Sequence, residues 1–146
     1  LTTEDNTKIL KSTLQEIDEE LGNFNVKIAM ETDLDPDNNL KLLEGLSFER
    51  VGINYDIGNS ASIGFSPEEE WKAYGKSIFN IHVKDRKLNG TTVRLGCGDA
   101  DFEAVKDGAL QNNYIGNWVL QTARTKGNDD LNELLLNQKF VEDHLL

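Results

Sequence analysis

The chain has 146 residues, enough for one compact domain with a buried core. Its 28% charged and 38% hydrophobic residues are ordinary for a globular protein, and no apolar run approaches the roughly 18 residues of a membrane span, so no membrane partner is expected. The net charge of −11 argues against nucleic acid as a partner, because phosphate backbones are bound through Lys and Arg. Cys97 is the one cysteine and has no intramolecular disulfide partner, so a reducing, cytoplasmic setting is expected. Met30 is the one methionine, and the sequence reads as a processed product or a piece of a longer protein.

Caps and periodicity give the elements in chain order. Thr2 or Thr3 is the predicted cap of a first helix, with Glu4 and Asp5 in the turn where the helix dipole favours acids. Ile9, Leu14, Ile17 and Leu21 form its apolar face, and Gly22 is its predicted stop. Residues 26–32 read as a strand. Asp35-Pro36 then pairs a cap with proline at the first helical position, opening a short helix that carries Leu40, Leu43 and Leu46. Residues 50–56 are a second strand, and Ser66-Pro67-Glu68-Glu69 is a capping box for a helix with Trp71 and Tyr74 on its apolar face. Residues 77–84 are a third strand and 90–98 a loop, after which Asp101 caps a helix turning Phe102 and Val105 inward. Residues 117–122 are a fourth strand, followed by a leucine-rich helix over 129–144. This β/α alternation predicts an α/β fold with a parallel sheet and helices outside it.

Strand parity separates two faces. One parity is bulky and apolar: Val26, Ile28 and Met30; Val51, Ile53 and Tyr55; Phe79, Ile81 and Val83; Trp118, Leu120 and Thr122. The other is small or polar, running through Ala29 and Glu31, Asn54 and Asp56, Asn80, His82 and Lys84, and Val119 and Gln121. A doubly wound sheet covered by helices on both faces would be apolar on both. A single polar face, with its chemical groups at the carboxyl ends of the strands, favours a barrel.

Glu31, Asp56, His82 and Gln121 stand at equivalent places on the four strands. Neighbouring parallel strands run about 4.8 Å apart, so such side chains can converge on one ion. Two carboxylates, an imidazole and an amide oxygen suit one divalent metal ion: Mn²⁺, Mg²⁺, Co²⁺ or Zn²⁺. Taken singly, each has a plainer reading: a strand-end acid is a cap or surface charge, and His82 between Ile81 and Val83 is a core histidine.

The segments IAMETD around Glu31, GINYDIGNSA around Asp56, NIHVKDR around His82, LGCGDADF, and GNWVLQTAR around Gln121 resemble, in that order, the last four β/α units of the sugar phosphate isomerase/epimerase family. That family belongs to the xylose isomerase-like TIM barrels. The resemblance implies that residues 1–146 are the C-terminal half of such a barrel. It also implies that the complete protein isomerises or epimerises a ketose sugar or sugar phosphate, through a cis-enediolate, at one divalent metal. By this resemblance Glu31, Asp56 and His82 are metal ligands, with Glu31 also moving the proton. Gln121 departs from the family's second glutamate; its carbonyl can ligate, but an amide has no useful basicity.

Lys84, one step nearer the mouth than His82, is the candidate second acid or base; its plainer reading is an ion pair with Asp85 or a neighbouring carboxylate. Arg86 and Arg124 are candidate substrate contacts able to clamp a phosphate bidentately. Asn59 stands where several epimerases of the family carry a substrate-binding histidine. Gly96 and Gly98 are weak evidence for a phosphate cradle, and Cys97, with no recognisable histidine partner, is not expected to be a nucleophile.

A closed barrel needs eight strands and this chain predicts four, so the missing N-terminal half or a second copy of the chain is expected to close it. The chain alone is expected to be at best weakly active. Two other readings remain open: a sugar- or metal-binding barrel fragment without turnover, and an apurinic endonuclease-like hydrolase. The hydrolase ranks lower, since it needs more histidines and a basic groove, and this chain has two histidines.

Overall fold

The computed structural model describes residues 4–123 and 129–146. The first helix, α1 (Glu4–Asn23), passes Gly22 by one residue, and the chain turns at Asn25 in the left-handed region (φ 51°). Its inner stripe is Leu10, Leu14, Ile17 and Leu21; Ile9, expected on that face, is exposed because it lies on the margin of the stripe. A short strand β1 (Ile28–Met30) follows, then α2 (Pro36–Leu43), where Asp35 Oδ1 accepts from Asn38 N–H at 2.9 Å as the cap predicts.

The buried residues of α2 are Asn39 and Leu42, while Leu40 is exposed, a correction to the expected Leu40/Leu43/Leu46 face. Asn39 turns inward because its amide holds the loop after β1. It accepts from Thr32 Oγ1 at 2.6 Å and donates to the Leu34 carbonyl at 3.0 Å.

Next come β2 (Val51–Asp56), α3 (Ile57–Ile63) and α4 (Pro67–Tyr74). Helix α3 was not foreseen in the sequence. Asp56 caps it, and Gly64 ends it at φ 89°, a conformation that glycine adopts without the steric cost of a Cβ. Strand β3 (Ile78–Val83) leads into a small antiparallel hairpin, β4 (Asp85–Arg86) with β5 (Thr92–Val93), the second of which falls within the loop expected over 90–98. The chain continues through α5 (Phe102–Gln111), β6 (Asn117–Leu120) and α6 (Asp130–His144).

The main sheet is parallel in the order β1-β2-β3-β6, with Asp56 opposite His82 and His82 opposite Val119. This is the expected β/α order. Helices pack on one face of the sheet. Their core joins Ile53, Tyr55, Ile81 and Val83 to Trp71 and Tyr74 of α4, Phe102 and Val105 of α5 and Val141 of α6. Burying such side chains is worth about 1.5–3 kcal/mol each, so the outer face holds the sheet and leaves the inner face free to be polar.

One irregularity changes the expected parity of β3. Ile53 pairs with Ile78 but Asn54 pairs with Asn80, so Phe79 is an extra residue in a bulge. Ile78 joins the outer core in its place. Phe79 lies instead over Gly52, where an added Cβ would come within 2.9 Å of its ring, and Lys27 Nζ sits 5.0 Å from the ring centroid. Phe79 therefore leaves the apolar face on which alternation had placed it.

Helix α6 inverts its own composition: Leu131, Leu134, Leu135 and Leu136 are exposed, while Glu133 and Asn137 turn inward. Glu133 pairs with Arg94 and Asn137 donates to Thr122 Oγ1, which satisfies the polar groups that face the sheet. Among the described residues, no helix is long and apolar enough to cross a membrane.

Candidate metal centre

The carboxyl end of each strand sends one side chain of the polar parity to the same rim. Glu31 follows β1, Asp56 ends β2, and His82 lies one residue before the end of β3. One ligand atom from each lies within 4.8 Å of the other two. His82 Nδ1 is 3.3 Å from Glu31 Oε2 and 3.9 Å from Asp56 Oδ2. A divalent cation with ligand bonds of about 2.1 Å sets neighbouring ligand atoms about 3.0–3.4 Å apart; His82 and Glu31 already stand at that spacing, and the 3.9 Å between His82 and Asp56 lies beyond it.

Asp56 has two tasks. Its Oδ1 accepts from Asn59 N–H at 2.8 Å, capping α3, and its Oδ2 accepts from Lys84 Nζ at 3.0 Å. The ion pair foreseen for Lys84 is thus with Asp56 and not with Asp85. Asp85 is fully buried and points the other way, accepting from the N–H groups of Gly98 (2.7 Å) and Ala100 (3.2 Å). A Cβ at Gly98 would strike the Asp85 carboxylate, so this glycine serves the close approach of a side chain. Asp85 anchors the LGCGDADF loop, and the hairpin that bears Arg86 is tied to the same loop by Asp99, which accepts from Leu88 N–H and Lys87 Nζ.

Lys84 Nζ also donates to Asn59 Oδ1 (3.1 Å) and to Gln121 Oε1 (2.9 Å). Three acceptors around one nitrogen call for three N–H bonds, which is the ammonium form. Gln121 therefore reaches the cluster through Lys84. Its backbone N–H extends the β3–β6 pairing by bonding the Val83 carbonyl at 3.0 Å. Asn59 is a junction: its Nδ2 donates to Glu31 Oε1 at 3.1 Å, and its Oδ1 accepts from both Lys84 and Arg86 Nη1 (2.9 Å). Arg86 spends its Nε and Nη2 on the Gly90 carbonyl, which holds the guanidinium against its own hairpin. Arg124 lies outside the described residues.

Two further side chains were legible only as members of the polar parity. Asn54 Nδ2 donates to Glu31 Oε2 at 2.8 Å and lies 3.1 Å from His82 Nδ1; its Oδ1 accepts from Asn80 Nδ2 at 2.6 Å. Asn54 thus spaces two candidate ligands, the outer-shell support that metal sites commonly need. Beside Glu31 an open cavity of about 690 Å³ is walled by Met30, Thr32, Asp33, Leu34 and Asn59, large enough for a small metabolite.

A second polar cluster lies behind the rim. Glu70 of α4 is buried and accepts from Tyr55 Oη (2.8 Å), Tyr74 Oη (2.7 Å) and Ser60 Oγ. Burial pushes the Glu70 carboxyl above the usual carboxylate range against the lowering effect of these three hydroxyls, and burial likewise raises Tyr55 and Tyr74. Nothing in the sequence marked Glu70 beyond its place in an acidic first turn.

Comparison with known proteins relates the chain to a family. The xylose isomerase-like TIM barrel family matches residues 2–139. The rhizopine catabolism protein MocC of Rhizobium meliloti is 26% identical over 137 residues, covering 79% of this chain and 42% of that protein. Among solved structures, an L-ribulose 3-epimerase superposes with a TM-score of 0.81 at 15% identity, over 98% of this chain and 55% of that one. The IolI protein, solved with a zinc atom, superposes with a TM-score of 0.73 at 21% identity, over 93% of this chain and 55% of that one. The chain spans about half the length of the curated relatives it matches. The chain belongs to the xylose isomerase-like TIM barrel family.

Proposed function

We propose that this chain supplies the metal centre and the acid–base groups of a divalent-metal-dependent isomerase or epimerase acting on a ketose or its phosphate. The observation that carries the reading is the convergence of Glu31, Asp56 and His82 from three strands. A divalent cation, when bound there, polarises the sugar carbonyl and offsets the charge that develops on its oxygen. Glu31, with its side chain 39% exposed beside the cavity, is the base that takes the proton from the carbon next to the carbonyl, leaving an enediolate. Lys84, an ammonium by its three acceptors, is the acid that returns a proton to that carbon. Gln121 aims Lys84 without drawing off its proton, a role that a glutamate would not fill in the same way. Asn59 and Arg86 are the substrate-side donors, and Arg124 remains a candidate with them.

Sheet strands β1 and β6 each have an unpaired edge among the described residues. In this reading four further β/α units, or a second copy of the chain, close the barrel and bring the remaining substrate contacts. The test is solvent exchange: the protein with Mn²⁺ and a panel of ketoses and ketose phosphates in D₂O should incorporate deuterium next to the carbonyl, read by NMR. Sugar binding with no exchange in any member would replace this reading with a binding protein, which the non-titrating Gln121 favours.

A further inference from the structure

Glu70 takes no part in the chemistry above, yet its hydrogen bonds surround the segment that carries Asp56. We infer that Glu70 is a positioning residue for the metal centre, acting through Tyr55 and Ser60; this rests on the metal-site reading above. Tyr55 is the residue before Asp56, and Ser60 is one helical turn after it. Both hydroxyls end on the same oxygen, Glu70 Oε2. The carboxylate therefore ties the last residue pair of β2 to the first turn of α3. Asp56 spans that junction: its backbone closes the strand and its Oδ1 caps Asn59 N–H. With α3 pinned, Oδ1 is committed and Oδ2 is left facing His82 and Lys84. The other Glu70 oxygen, Oε1, accepts from Tyr74. Tyr74 belongs to α4, as Glu70 does; its ring packs edge-on against Tyr55 at 6.5 Å, which a phenylalanine would keep, and its hydroxyl bonds Glu70 alone among the junction partners.

The geometry supplies its own control. Glu70 has two links to the Asp56 segment and one to its own helix, and all three donors are buried hydroxyls. Each deletion removes one hydrogen bond of the same kind, so the three variants should lose similar stability. Only two of them should disturb the metal ligand.

The experiment titrates Mn²⁺ alone into the wild-type chain and the S60A, Y55F and Y74F variants by calorimetry, with urea unfolding of each measured separately. S60A and Y55F are expected to weaken Mn²⁺ binding about tenfold, the range in which outer-shell partners act, and Y74F to leave it within about twofold. Equal affinity in all four proteins would overturn the positioning role and leave the metal site standing. A loss in Y74F as large as in S60A would also overturn it, since the effect would then follow general stability. If the wild-type chain takes up no Mn²⁺, the metal-site reading falls first and the inference with it.

Discussion

Asp56 and Glu31 present the same functional group to the same point, yet their surroundings are opposite. The Asp56 side chain is 2% exposed, caps a helix with one oxygen and holds an ammonium with the other. Glu31 follows a three-residue edge strand, is 39% exposed, and is steered by two asparagine amides, Asn54 and Asn59. The central strand thus holds its carboxylate buried between two partners, and the edge strand leaves its own partly exposed. In the proposed reaction Glu31 would both hold a cation and move a proton, and the more exposed environment suits a group whose oxygens change partners.

The sharpest way to break this comparison is to remove each carboxylate. D56A should abolish Mn²⁺ binding and cost about 3–5 kcal/mol in urea unfolding, since it leaves Lys84 half-buried without its anion and uncaps α3. E31A should cost less than about 1 kcal/mol, as an exposed partner does. Equal destabilisation by the two would refute the contrast. E31Q is expected to keep the fold and lower deuterium exchange by about 10²–10⁴, the usual contribution of a general base, with ketose binding measured alongside. Q121E places a carboxylate beside Lys84, next to the candidate metal centre. It should tighten Mn²⁺ binding about tenfold, as added ligand charge does, and calorimetry would detect it.

The smallest effect concerns Glu70. Its folded-state affinity for a proton is raised by burial, so this residue adds stability below its ordinary unfolded value, which is lost as pH rises through the folded value. Urea unfolding of wild type and E70Q from pH 4 to 7 should show wild type losing stability with rising pH relative to E70Q. Parallel profiles would contradict it.

The rim residues and the β3 bulge differ in how far the sequence discloses them. Asp56, His82 and Glu31 were legible because alternation with period two puts every second side chain on one face, and strand ends are marked by the caps that follow. Phe79 defeated that logic: a bulge inserts one residue, and nothing in the local alternation of β3 announces it. Helix α3, seven residues long, is too short to show an amphipathic repeat, and its cap, Asp56, is also the last residue of a strand. Asn39 and Glu133 are invisible to helix periodicity, which counts apolar residues, whereas these polar ones face inward through partners outside their own helices.

From the amino-acid order alone came the β/α alternation, the two strand faces and the residues that arrive at the rim, because these depend on local periodicity and capping. The partners of those residues came only with the tertiary structure. That Lys84 chooses Asp56 over Asp85, that Gln121 joins through Lys84, and that Glu70 sits behind Asp56 all depend on which strands and helices become neighbours. Hydrogen bonds reach about 3 Å, and no local pattern specifies which groups separated by tens of residues will come that close.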